Sequence, residues 1–252
     1  MSFLGSIIQR IKYPHKFSSL RYFYHDPRLI FGIPSRPTKI HISSVIERAM
    51  ETDIISALHQ FLPKWFLDHI DQEGWDTEGY RLMLYLLVRK YKPEIVVETG
   101  VAHGVSSAYI LCAMRENDKG HLYSIDLPPE QAAVSKSDNG YELADKQVHR
   151  HFKVGHFVPE CVRDRWTLIL GDSRQELPKL LERLKKADIF YHDSLHTYEH
   201  MKFEYETVWD YIPKGGLLLS HDTLWNKAFY EMYKKYSKKI IIYKTFGILK
   251  KD

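Results

Sequence analysis

Glu98-Thr99-Gly100-Val101-Ala102-His103-Gly104 is the stretch on which the reading of the fold turns. It follows the apolar run Ile95-Val96-Val97 and leads into Val105-Ser106-Ser107, where a helical pattern predicts a helix over residues 106–115. Glycines at 100 and 104 let a chain leaving a strand turn sharply and bring its backbone close to a ligand at the free N–H groups of a helix start. A carboxylate before the first glycine, with no third glycine in G-x-G-x-x-G spacing, argues against a pyrophosphate site. The acid suits a cofactor that carries a positive amino group. A plain tight turn is the bland alternative for the same residues.

Working outward, short apolar runs alternate with helical patterns. Further strands are expected over residues 121–126, 167–170, 188–193 and 217–220, and helices over 77–91, 175–186 and about 224–236. Met201, Tyr205, Val208, Trp209 and Ile212 share one helical face before the turn Pro213-Lys214-Gly215-Gly216. Strands alternating with helices predict an α/β, doubly wound, mostly parallel sheet. Two closing strands, 240–244 and 247–250, bring the count to seven; their connection is too short for a crossover helix, so they are expected to be antiparallel.

Acids stand at successive strand ends. Asp126 ends the second strand, 26 residues after Gly100, where a carboxylate can accept from both hydroxyls of a ribose. Gly171-Asp172-Ser173 ends the third, where an acid can meet an adenine amino group. Asp172 can equally cap the next helix, and Asp126 can cap a turn at Pro128-Pro129. All lie on the carboxyl edge of the sheet, where ligands of such folds bind.

In order and spacing, residues 98–104, Ser124-Ile125-Asp126, Gly171-Asp172-Ser173 and Lys214-Gly215-Gly216 before an apolar strand resemble the motifs of class I S-adenosylmethionine-dependent methyltransferases. The likeness covers residues 77–251 and implies a Rossmann-like fold. Asp193-Ser194-Leu195-His196-Thr197-Tyr198-Glu199, with His221-Asp222-Thr223 after the fifth strand, is similar to small-molecule O-methyltransferases related to the cephalosporin-hydroxylase and macrolide-sugar methyltransferase group. The resemblance implies a cofactor set of Glu98, Thr99, Gly100, Gly104, Ser106, Asp126, Asp172, Ser173 and Asp193. It also implies catalytic roles for His196 and Asp193, and a divalent metal, magnesium or a transition ion, on Asp193, Asp222 and His221. His221 stands where an acid often precedes the second metal aspartate, which leaves metal dependence and the choice of ion open.

The chemistry is coherent. Methyl transfer is an in-line displacement, so the enzyme aligns nucleophile with methyl and excludes water. An alcohol acceptor needs deprotonation; His196 can take the proton, and a metal can lower the alcohol's pKa. A structural histidine near a helix start is the alternative for His196. The rivals for the whole chain are a nicotinamide-dependent oxidoreductase and a cofactor-binding scaffold without turnover.

The rest of the 252 residues sets bounds. A net charge of +4 does not demand nucleic acid, and the lysines at 234, 235, 238, 239, 244, 250 and 251 read as a solvated face. Two cysteines, Cys112 and Cys161, make no disulfide framework and fit a cytoplasmic setting. No apolar run reaches the ~20 residues of a membrane span. Residues 1–74 are expected as an appendage: a short amphipathic helix with Phe3, Leu4, Ile7, Ile8 and Ile11, then a proline-broken arm, then helical pattern interrupted at Pro63. That first helix would dock on the body, on a second subunit of a homo-oligomer, or weakly on a membrane surface. Residues 75–252 form the expected cofactor-binding domain. Within it, 127–165 is long enough to serve as a lid over a small polar acceptor, such as a sugar. His149, His151, His156 and Cys161 fit no standard zinc spacing and are expected to be scattered loop residues.

Overall fold

The structure is a computed structural model describing residues 62–73, 79–127, 153–237, 240–243 and 245–252. The expected amphipathic helix and arm, the first residues of the expected 77–91 helix, His149, His151 and most of the 127–165 insertion lie outside these residues. In chain order the elements are α1 (Lys64–Glu73), α2 (Gly79–Tyr91), β1 (Ile95–Thr99), α3 (Val105–Asn117), β2 (His121–Asp126), a helical turn (Glu160–Arg165) and β3 (Trp166–Leu170). They continue with α4 (Ser173–Leu184), β4 (Ile189–His192), α5 (Tyr198–Trp209), β5 (Leu217–Ser220), α6 (Ala228–Tyr236), β6 (Ile240–Tyr243) and β7 (Phe246–Lys250).

Seven strands form one sheet in the order β3-β2-β1-β4-β5-β7-β6. β1 with β2, β2 with β3, and β4 with β5 run parallel, while β7 is antiparallel to both β5 and β6. This is the expected Rossmann-like, mostly parallel sheet with an antiparallel C-terminal strand. By its contacts the chain divides into two units, one within residues 38–173 and one formed by the described residues from 174 on.

In the first unit, α1 starts where Pro63 interrupts the pattern: its carbonyl accepts from the N–H groups of Phe66 and Leu67, and a proline before a helix forfeits no helical hydrogen bond. Phe66 is fully buried and meets Tyr109 edge-on at 5.0 Å. Every residue of α3 from Val105 to Met114 is buried, which explains why this helix is apolar nearly all round. Cys112 lies in that interior, where burial, reinforced by Glu116, pushes its thiol pKa up. Cys161 is exposed, and neither cysteine is bonded to another.

In the second unit, Phe190, Tyr191 and Leu217–Leu219 are buried in β4 and β5, and α5 buries Met201, Tyr205, Val208 and Trp209. Among the boundaries that differ from the sequence expectation, two matter here. β4 ends at His192, so Asp193 belongs to the loop after the strand. The last helix begins at Ala228, four residues late, because the Asn226 side chain accepts from the Ala228 N–H at 2.9 Å and stops the helix there. Among the described residues no helix is long and apolar enough to cross a membrane.

Candidate functional site

The glycine loop and Asp126 come together in the first unit. Gly100, Ala102 and Gly104 all have positive φ, at 84°, 51° and 88°. Asp126 Oδ2 accepts from the N–H groups of Val101 at 3.1 Å and Ala102 at 2.6 Å, and Oδ1 accepts from Leu127 N–H at 2.8 Å. The acid read as a ribose acceptor therefore also fixes the turn that the glycines permit. Gly171 N–H donates to the Asp126 carbonyl at 2.8 Å, which draws Asp172 and the buried Ser173 toward the same sheet edge.

Glu98 is placed differently from the expectation of a carboxylate offered to an amino group. It is fully buried; Oε1 accepts from Ser106 Oγ at 2.6 Å, and Oε2 accepts from Ser107 Oγ at 2.6 Å and Ser124 Oγ at 2.7 Å. Thr99 beside it is also fully buried. A buried carboxylate needs such donors to offset its lost hydration. Ser107 and Ser124 were not singled out by the sequence reading. The available signal was polar residues at positions that the strand and helix patterns bury.

Above the loop runs a strap of residues 153–158. Gly155 N–H donates to the Ala102 carbonyl and Phe157 N–H to the His103 carbonyl, both at 2.9 Å. A Cβ on Gly104 would stand 2.7 Å from Gly155 Cα and 2.9 Å from Val158 Cγ2. Gly104→Ala combines a left-handed backbone, unfavourable by ~1–2 kcal/mol, with overpacking of ~1–3 kcal/mol. We expect it to lower stability by about 2–5 kcal/mol. An urea unfolding midpoint unchanged from wild type would show that the strap yields freely.

The second unit gathers Asp193, His196 and His221. One ligand atom from each lies within 4.8 Å of the others, the only such metal-capable group among the described residues. Asp193 Oδ1 is 3.1 Å from His221 Nδ1 and 3.6 Å from His196 Nε2, and Tyr191 OH donates to Oδ2 at 2.8 Å. Burial works against charge on Asp193, but the imidazoles of His221 and His196 outweigh it and hold its pKa well below the usual carboxylate range. Asp222 stands outside this group, with Oδ1 at 3.9 Å from His221 Nε2. His196 takes the place among the candidate ligands that the sequence reading gave to Asp222.

His196 is held from several sides. Thr197 caps α5, accepting from His200 N–H, and Asn226 Nδ2 donates to the His196 carbonyl at 3.1 Å. Its ring lies 5.2 Å from Trp225 and 5.3 Å edge-on from His192. Behind it is a network that the sequence reading missed. Glu204, fully buried, meets His192 Nδ1 at 2.6 Å, His200 Nε2 at 2.8 Å and Ser194 Oγ at 2.9 Å. Burial opposes its ionisation, yet His192 and His200 keep its pKa well below the ordinary value. Burial also lowers the pKa of His192, against the pull of the Glu204 carboxylate.

One carboxylate and two imidazoles, each about one-fifth exposed or less, fit a divalent ion. Nitrogen donors favour first-row transition ions over magnesium, which prefers oxygen. His156 packs against His103 with ring centroids 4.9 Å apart, and no group of metal-ligand spacing includes it or Cys161 among the described residues.

A methyltransferase-domain family model matches residues 97–223, just over half the chain, from the strand before the glycine loop to Thr223. The chain belongs to the methyltransferase-domain family. With its motifs, this makes it an S-adenosylmethionine-dependent methyltransferase and sets aside the oxidoreductase and scaffold alternatives. No curated protein matches the methyltransferase by sequence. Among solved structures it is similar to the SAH-bound Podospora anserina methyltransferase PaMTH1, at 14% identity over 84% of this chain and 89% of that one, with a TM-score of 0.50. A putative O-methyltransferase from Klebsiella pneumoniae matches at 17% identity over 93% and 99%, with a TM-score of 0.48. The calicheamicin methyltransferase CalS11 matches at 17% over 86% and 94%, with a TM-score of 0.46. At such identities the first of these speaks to the fold alone, and it is the expected fold.

Proposed function

We propose that this methyltransferase methylates a hydroxyl group of a small polar metabolite or sugar, with His196 as the general base. The observation that carries the reading is the placement of His196: its Nε2 is buried, makes no hydrogen bond and stands 3.6 Å from the ionised Asp193. An imidazole so placed can accept an acceptor's proton, and the neighbouring carboxylate favours the imidazolium that results. S-adenosylmethionine, when bound, supplies the electrophilic methyl group. Glu98, Thr99, Gly100, Gly104, Ser106, Asp126, Asp172 and Ser173 are the residues we assign to shaping its site. A divalent ion would be held by Asp193, His196 and His221, with Asp222 beside His221, and would supply acidity to an acceptor hydroxyl. While it is bound, His196 serves as ligand; the base role belongs to His196 free of the ion. The chelation test below separates the two.

The variable parts would choose the acceptor: residues 1–74 as an appendage and residues 127–165 as a lid on the domain of residues 75–252. We also assign the protein to the cytoplasm, from its two unpaired cysteines. The test is S-adenosylhomocysteine release with a panel of hydroxylated small molecules and nucleotide sugars. Transfer only to amine or carbon acceptors would overturn the hydroxyl assignment.

After exhaustive chelation, add-back of single ions is expected to restore activity with manganese, cobalt or zinc in preference to magnesium, because two of the three donors are nitrogens. Elemental analysis of the Asp193→Asn protein should then find the ion lost. Full activity after chelation would remove the metal and leave His196 acting alone.

A further inference from the structure

We infer that Trp166 is a positioning residue for the cofactor loop, holding the loop from below through Ser124 and from above through the strap. The inference rests on the assignment of the glycine loop to S-adenosylmethionine. Glu98 and Ser124 are partners in register across β1 and β2, and Ser124 is opposite Leu168 of β3, two residues beyond Trp166. Trp166 is thus a diagonal neighbour on the same face, within reach for a large side chain. Its Nε1–H donates to Ser124 Oγ at 2.9 Å, and Ser124 donates onward to Glu98 Oε2 at 2.7 Å. With its oxygen fixed as acceptor from the indole, the Ser124 hydroxyl has its hydrogen directed at the carboxylate. Glu98 in turn anchors Ser106 and Ser107 in the first turn of α3.

The other edge of the indole presses on the strap. A Cβ on Gly155 would lie 2.1 Å from Trp166 Cη2, so only glycine admits the ring. Arg163 lies over the same ring at 5.3 Å and donates from Nη2 to the Gly155 carbonyl at 3.0 Å. That residue's own N–H holds Ala102, and Phe157 N–H holds His103. One side chain therefore joins the carboxylate cage beneath the loop to the backbone bonds above it. A loop ordered before the cofactor arrives loses less entropy on binding.

The experiment measures S-adenosylhomocysteine affinity by calorimetry and amide exchange at Gly155 and Phe157 in the ligand-free protein. Trp166→Ala is expected to weaken affinity about 10-fold or more and to expose both amides. Trp166→Phe keeps the ring against Gly155 and should leave both amides protected, with affinity down about 3-fold, the scale of one neutral hydrogen bond. Adding Ser124→Ala to Trp166→Phe should then cost no more than Ser124→Ala alone, since both remove the same bond. Wild-type affinity in folded Trp166→Ala, or unchanged protection of both amides, overturns the inference. If Trp166→Ala does not fold, additive losses in Trp166→Phe/Ser124→Ala overturn it. Wild-type protein that binds no S-adenosylhomocysteine refutes the cofactor assignment instead, and amide exchange still decides the latch.

Discussion

His196→Ala is expected to cut methyl transfer by about 10²–10⁴-fold while leaving S-adenosylhomocysteine affinity within about 2-fold of wild type. The magnitude is that of losing a positioned general base. The selectivity follows from its role: the described partners of the His196 side chain are Asp193, His192, His221 and Trp225, and none is a glycine-loop residue. The ring is held by Trp225 and His192, and its carbonyl by Asn226, so its orientation does not depend on substrate. Asp193→Asn should lose activity too, by a different route. It keeps the shape but removes the charge that favours the imidazolium, and it leaves two imidazoles competing for one amide oxygen. Full turnover in His196→Ala with the best acceptor would end its candidacy as base.

The fold was legible because its signals are local. The run from Ile95 to Val97, the glycines at 100 and 104 and the acid at 126 each announce a strand end or turn by composition, and their order prescribes a parallel sheet. The three histidine and acid positions near the fourth and fifth strands were legible by spacing. Their mutual distances were not, since a left-handed Asp222 with φ of 48° is invisible in sequence and leaves His196, rather than that acid, in the cluster. Glu204 went unread because helical spacing alone shows Met201, Tyr205 and Val208 as a stripe and treats the acid as solvent-facing. The usable clue was His200 four residues before it, a partner at helical reach. The strap had no signal beyond a single glycine. Its partners, Ala102, His103 and Trp166, are remote in sequence, and only the tertiary structure brings them together.

Glu204→Ala should be the most destabilising single change in the second unit, by about 3–5 kcal/mol, as for a buried charged partner removed from its companions. The carboxylate is fully buried and takes hydrogens from His192 Nδ1, His200 Nε2 and Ser194 Oγ, so truncation strands three donors at once. Glu204→Gln keeps the shape and should cost less. Its amide oxygen can still face His200 and Ser194, but its NH₂ group then meets His192 Nδ1, which must become the acceptor and move its hydrogen to Nε2. That nitrogen is buried, and its ring meets the ring of His196 edge-on, so the exchange takes place beside the candidate base. The pH dependence has a definite sign. The folded pKa of Glu204 lies below its unfolded value, so its contribution is present above the unfolded pKa of about 4.3 and is lost as pH falls through the folded one. Wild-type thermal midpoints should therefore drop on acidification below about pH 4.5, and Glu204→Gln should show a shallower drop from a lower starting point. Parallel acid limbs in the two proteins would show that Glu204 is not the group whose protonation unlocks this unit.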